Sequence, residues 1–370
     1  MTNHDYKQSA YYLLYLIRCA LNGKTPKKEK LDKMDLSGVF AVAKAHTLTA
    51  IAAYAISSGG VTNPAFMEEK YKAIRKNITF DAERRNVLAE LEKEGIWYCP
   101  LTGCIIKDWY PEIGMRQMSD NDILCDESRM SDVRACMEKL DFETDLYGKC
   151  HQDVYKKEPI CNFEMHSCLV EPHHGDVIYE YYRNIKEKLI KDDDNSFGYH
   201  FSDEDFYIYC IAHEYKHFAG TGTGLRSLAD TYVMLQKFGD DLDWSYINNE
   251  LNKLGISDFE RNNRELTLAL FSGKELSAEQ KKLLDYHIFS GTYGVIEHRI
   301  QNRIGKNASV LAKLKYAANR AKVPEGDMKE FHPFFYKHKS FRPLLYAKKV
   351  IKKLLFNSRP MIREIKALFK

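Results

Sequence analysis

Asp120 and Asp122 lie two residues apart in the run Arg116-Gln117-Met118-Ser119-Asp120-Asn121-Asp122-Ile123-Leu124-Cys125, and Glu164 follows in Phe163-Glu164-Met165-His166. Side chains alternate along a strand, so a strand here puts both aspartates on one face. If Ile160 to His166 forms a second strand beside it, Glu164 brings a third carboxylate to that face. Three carboxylates on adjacent strands suit a hard divalent cation, Mg²⁺ or Mn²⁺, which prefers oxygen ligands. Sites of this kind serve phosphoryl and nucleotidyl transfer, in which two ions about 4 Å apart clamp the attacking and leaving oxygens. Asp-x-Asp alone more often marks a solvated turn or a strand end, so the flanking elements decide.

Upstream, Ile96-Trp97-Tyr98-Cys99-Pro100-Leu101 reads as an apolar strand and Thr102-Gly103-Cys104 as a tight turn. Ile105 to Tyr110 then has helical character until Pro111. A strand, a glycine turn and a helix aim backbone N–H groups where phosphate binds well. Residues 5–95 read as helices: one starting near Tyr11, one over Val39 to Ile56 closed by Gly59-Gly60, and one over Asn77 to Lys93. Strands fall near 96–101, 121–126 and 160–169, with a helix over Ser131 to Leu140 capped by Ser131. From Ser202 the chain is helical again, starting with a serine cap and the acids Asp203, Glu204 and Asp205. The expected fold class is α+β and mostly helical: a small mixed sheet flanked by N- and C-terminal helical regions. The expected organisation is an N-terminal helical region (1–95), an α/β core (96–200), a C-terminal helical domain (201–330) and a basic amphipathic tail (331–370). Pro324-Glu325-Gly326 and Phe331-His332-Pro333 are the candidate linkers, and His173-His174 reads as a surface turn.

At these residues the chain resembles a known family. Leu101-Thr102-Gly103, Lys107, Tyr110-Pro111, Arg116, Met118-Ser119-Asp120 and Asp122-Ile123-Leu124 look like the signature of the uncharacterised bacterial nucleotidyltransferases of the polymerase-beta-like superfamily. The likeness continues through Phe163 to His166, His213 to His217 and Leu225-Arg226-Ser227-Leu228-Ala229-Asp230. The resemblance implies a nucleotidyltransferase-like sheet and transfer of a nucleoside monophosphate from an NTP, such as ATP, to an acceptor that the sequence does not name. It implies Asp120, Asp122 and Glu164 as metal-holding catalytic residues. It also implies Thr102, Gly103, Cys104, Lys107, Arg116, Lys216 and Arg226 as nucleotide or phosphate contacts. His166, His213, His217 and Asp230 are the candidates for lining the cleft or meeting the acceptor. Two positions depart from the pattern. The family usually has Lys where Thr102 stands, and the superfamily's Gly-Ser turn is Gly103-Cys104 here. These departures open an alternative, a catalytically degenerate nucleotide-binding or scaffold protein.

His213-Glu214-Tyr215-Lys216-His217 also matches H-E-x-x-H, which on a helix puts two histidines on one face for zinc with a glutamate as base. The motif would need a third ligand, Asp230 or Glu250, and it places the Lys216 cation within one turn of the metal. A zinc metallopeptidase is therefore the weaker alternative. In the favoured reading His213, Lys216 and His217 face a cleft, Lys216 meets phosphate, and Thr221 to Gly224 form a flexible loop beside Arg226.

The 370 residues carry 55 Lys and Arg against 52 Asp and Glu, a net charge of +3. The charge is uneven: residues 334–370 hold eleven basic residues and one acid, Glu364, for +10. Leu344, Leu345, Val350, Ile351, Leu354 and Leu355 alternate there with Lys348, Lys349, Lys352 and Lys353 at helical spacing. Such a helix either packs on the body with its lysines in water or contacts nucleic acid or an anionic surface. No run approaches the roughly 20 apolar residues of a membrane span, and the polar start gives no secretory leader. Nine scattered cysteines without C-x-x-C spacing read as reduced thiols, which points to the cytoplasm.

Overall fold

The computed structural model describes residues 1–171, 176–292, 294–305, 308–323, 325, 328–329, 332–356 and 358–369. His173-His174 and half of the two candidate linkers, residues 324, 326 and 331, lie outside the described residues. The chain divides into two compact units, residues 1–215 with 224–292, and residues 216–223 with 293–370.

The first unit opens with helices α1 (Asn3–Leu21), α2 (Lys28–Leu31), α3 (Leu36–Ala45), α4 (Thr49–Ser58) and α5 (Pro64–Lys93). Asn63 caps α5 by accepting from the amides of Ala65 and Phe66, and Pro64 starts it where no N–H is needed. The expected single helix from Val39 to Ile56 is two. Thr47 takes a φ of +52°, outside the helical region, and breaks an otherwise uninterrupted apolar stretch between α3 and α4. Then come β1 (Tyr98–Pro100), α6 (Gly103–Ile106), β2 (Asn121–Cys125), α7 (Met130–Lys139), β3 (Glu143–Leu146), β4 (Gln152–Lys157) and β5 (Cys161–His166). α7 begins one residue before Ser131, which therefore does not cap it. Asp126 caps the 3₁₀ turn ahead of the helix, accepting from the Ser128 amide.

The five strands lie in the order β1-β2-β5-β4-β3. β2 and β5 run parallel and every other pair is antiparallel, so the sheet is mixed. Its core face is built from Ile123 and Cys125 of β2 and Phe163 and Met165 of β5. These pack on Phe80, Val87 and Leu91 of α5 and Val133 and Met137 of α7, all buried. Alternation then turns Asp122 and Leu124, and Glu164 and His166, to the opposite face. α8 (Asp176–Tyr182) follows, with a two-stranded ribbon of β6 (Ile190–Lys191) and β7 (Tyr199–His200). α9 (Asp203–Gly220), α10 (Leu225–Phe238), α11 (Trp244–Lys253), α12 (Ser257–Ser272) and α13 (Ala278–Ser290) complete the unit, apart from the last turn of α9. As expected, the Ser202 hydroxyl caps α9, accepting from the Asp205 amide.

A buried histidine outside every motif ties this unit together. His46, just past α3, accepts the Leu225 amide on Nδ1 at 3.0 Å and donates from Nε2 to the Ile288 carbonyl at 3.1 Å. It thereby fixes the first residue of α10. Gly224 is needed there, because a Cβ would stand 2.6 Å from His46 Nδ1 and 2.7 Å from the Gly291 backbone.

The second unit holds the end of α9 and helices α14 (Ile296–Ile304), α15 (Val310–Ala321), α16 (Pro333–Lys337), α17 (Arg342–Phe356) and α18 (Ser358–Leu368). Ile300, Tyr316 and Leu368 form its small core. The expected amphipathic basic helix is α17.

Candidate active site

In the parallel pair β2–β5, Asp122 stands opposite Glu164 and Leu124 opposite His166. One ligand atom each from Asp122, Glu164 and His166 falls within 4.8 Å of the others. His166 Nε2 lies 3.1 Å from Asp122 Oδ1, and Gln152 of β4 donates to Glu164 Oε2. Both contacts fix carboxylates that would otherwise repel each other. Burial alone would raise the Asp122 pKa, but the His166 hydrogen bond and the charges of His166, His213 and Arg116 outweigh it, so it lies below the usual value. Asp120 sits one residue before β2. Its carboxyl is pushed up to about 7, first by burial and then by the negative charges of Asp122 and Glu164, with Arg226 and Arg116 opposing. Two carboxylates and an imidazole make a chemically suitable donor set for Mg²⁺ or Mn²⁺, the imidazole favouring Mn²⁺, while Asp120 lies outside this group and feels the charges of Asp122 and Glu164.

Next to the acids stands a cationic latch. Arg116, 9% exposed, makes a two-pronged bond to Asp230 of α10, Nε to Oδ1 at 2.8 Å and Nη2 to Oδ2 at 3.0 Å. Tyr110 Oη donates to the same Asp230 oxygen at 2.7 Å. The guanidinium lies against Gly103, where a Cβ would come 2.6 Å from Nη1. Gly103 is therefore required by close approach, in a turn already strained by a φ of +28° at Thr102. The Cys104 amide is occupied by the Leu101 carbonyl. The Cys104 thiol, pushed up to about 12 chiefly by burial, donates to Asn121 Oδ1 at 3.2 Å. It is a neutral packing group at neutral pH.

The sequence pattern of an uncharacterised nucleotidyltransferase family matches residues 32–272, well over half of the chain. The chain belongs to that family. No curated protein and no solved structure matches it. Membership supports nucleotidyl transfer as the activity class, with an NTP as substrate.

The other candidate residues of this family member take varied positions. Lys107, nearly fully buried, is held by Asp81 at 2.9 Å and by Asp108. Asp81 also pairs with Arg84, which donates to Asn121 at the head of β2. Arg226 follows the residue anchored by His46 and is close enough to Asp120 to lower its pKa. His213 lies on α9 within reach of the Asp122 charge. Lys216 and His217, on the last turn of α9, belong to the second unit. Glu214 of the H-E-x-x-H motif is pushed up to about 7 by burial, and Asp230 adds to the rise. Among the described residues the group able to hold a metal is Asp122, Glu164 and His166, which contains neither histidine of that motif.

Sequence reasoning missed Gln152, His151 and Glu171. His151 Nδ1 lies 3.0 Å from Glu171, and its ring is 5.6 Å from that of His166. Gln152 starts a polar strand with no apolar periodicity and His151 directly precedes it, so nothing in the sequence marked them. Among the described residues no helix is long and apolar enough to cross a membrane.

Proposed function

We propose that this chain transfers a nucleoside monophosphate from an NTP to an acceptor hydroxyl or phosphate, releasing pyrophosphate. The observation that carries the reading is the side-by-side placement of Asp122 and Glu164 across parallel strands, with Asp120 adjacent. In this reading Asp120, Asp122 and Glu164 hold Mg²⁺ or Mn²⁺, with His166 as a further donor. The metal supplies charge neutralisation at the transferring phosphate and at the attacking and leaving oxygens. Glu164 accepts the acceptor proton as the acceptor oxygen bonds to the α-phosphorus and the bond to pyrophosphate breaks. Gln152 orients Glu164 for that step, and Arg226 and Arg116 lend positive potential beside the phosphates. The acceptor is a small molecule, an RNA or a protein, and the site lies in the cytoplasm.

The test is thermal stability with each NTP, with and without Mg²⁺ or Mn²⁺, for wild type and Asp122→Ala. A ligand at a hundred times its Kd stabilises by about 2.7 kcal/mol, a visible rise in Tm. A metal-dependent rise for one NTP, absent in the variant, supports the assignment. Pyrophosphate release retained in Asp122→Ala would sink it.

A second reading is a nucleotide-binding protein that does not turn over. It is favoured by the Cys104 thiol turned to Asn121, which leaves position 104 without a hydroxyl, and by Lys107 locked in ion pairs, which leaves the turn without a spare ammonium. It predicts the same Tm rise with no pyrophosphate released.

A further inference from the structure

Residues 293–370 carry nineteen Lys and Arg against five acids, a net +14, while residues 1–292 sum to −11. Within the second unit five of these cations line a cavity of about 860 Å³. Its wall includes Arg303 from α14, Lys315, Tyr316 and Arg320 from α15, Lys322 just beyond, and Lys349 from α17. That volume is within the usual range for a small-molecule site.

The cavity is constructed, not a chance gap between lysines. Glu364 of α18 accepts from Arg320 Nε at 2.8 Å and from Tyr316 Oη at 2.7 Å, so the guanidinium is held in one orientation. Tyr316, 5% exposed, is part of the unit's core. Lys349 donates to the Lys322 carbonyl at 2.9 Å, joining α17 to the end of α15. No acid lines the cavity among the described residues, and Glu364 is already shared between Arg320 and Tyr316. Arg303, Lys315, Lys322 and Lys349 add their charges around one concavity beside Arg320, whose own charge is paired with Glu364. Arginine and lysine together match the charge and the hydrogen-bonding geometry of phosphate.

We propose that this cavity is a binding site for clustered phosphate groups. The same chemistry is offered by a free polyphosphate chain and by the backbone of a nucleic-acid strand. Phosphate contacts on a strand would release counterions and make binding strongly salt-dependent.

The test uses the full chain in EDTA, so that metal-dependent NTP binding at the carboxylates does not contribute. Inorganic tripolyphosphate is titrated by calorimetry, and a labelled eight-nucleotide single-stranded RNA by anisotropy. Arg303→Ala and Lys315→Ala each weaken binding at least fivefold. Lys348→Ala removes the same charge from α17 outside the cavity and changes affinity less than twofold. Unchanged melting temperatures confirm that the variants fold. RNA binding tighter than tripolyphosphate by tenfold or more identifies a strand as the source, and the reverse order identifies a free polyphosphate. Wild type that binds neither probe, or a Lys348→Ala loss as large as the Lys315→Ala loss, overturns the proposal.

Discussion

His46 should make the first unit sensitive to acid in a window set by its own burial. Its imidazole is fully buried and its pKa is lowered to about 4, mainly because burial disfavours the charged ring, while the Ile288 carbonyl opposes the shift. Protonation would also put a hydrogen on Nδ1, the atom that accepts the Leu225 amide. The unfolded chain binds this proton near pH 6.5 and the folded chain only near 4. The stabilisation is therefore complete above pH 6.5 and is lost as pH falls through 4. A gap of about 2.5 units corresponds to about 3 kcal/mol in full, of which about 2 kcal/mol is gone by pH 5. Glu214 acts in the opposite sense: its raised pKa lowers stability as pH rises from 4.5 to about 7. The two effects partly cancel, so a wild-type profile alone is not diagnostic. The assay is urea unfolding of wild type and His46→Gln at pH 7 and pH 5. It is read by tryptophan fluorescence, because Trp97, Trp109 and Trp244 all lie in this unit. Between the two pH values the wild type should lose about 2 kcal/mol more than the variant. Equal losses would refute the reasoning.

Glu214→Gln should raise stability at pH 7.5 by up to about 3 kcal/mol, since it removes a buried carboxyl that ionises there, and should do little at pH 4. Asp230→Ala should cost roughly 3–5 kcal/mol in urea unfolding, because it strands the buried Arg116 guanidinium. Gly103→Ala should displace that guanidinium and destabilise by about 1–3 kcal/mol; paired with Asp230→Ala, the two losses should be less than additive in a double-mutant cycle. His166→Ala should shift metal preference from Mn²⁺ toward Mg²⁺ in the NTP-dependent Tm rise, because it removes the nitrogen donor.

Residues that bury one face announced themselves. Ile123 and Cys125, and Phe163 and Met165, alternate with Asp122 and Glu164, so both strands were legible from period two, while the pairing that sets Glu164 opposite Asp122 came only from the structure. β3 and β4 were not: Glu143–Leu146 and Gln152–Lys157 are rich in polar residues, and β4 buries the polar Asp153 beside Tyr155, so no apolar alternation marks either strand. The break at Thr47 was hidden because the residues on both sides are apolar and helix-compatible. His46 was invisible for a different reason. Its partners are 179 and 242 residues away, and no local pattern encodes contacts at that separation. The Arg116–Asp230 pair has the same character, with each residue found by resemblance and their bond found only in the structure.

The order of these residues along the chain has a consequence for synthesis. Asp120, Asp122, Glu164 and His166 all emerge within one short stretch. The groups that hold Arg116 and balance the acids, His213, Arg226 and Asp230, come later. At cellular elongation rates the sheet would wait roughly 3–13 seconds between residues 166 and 230. During that interval a nascent chain presents the carboxylate face without its later cations, and Arg116 has no carboxylate to clasp. The carboxylate end of the sheet therefore matures only when α10 arrives and docks.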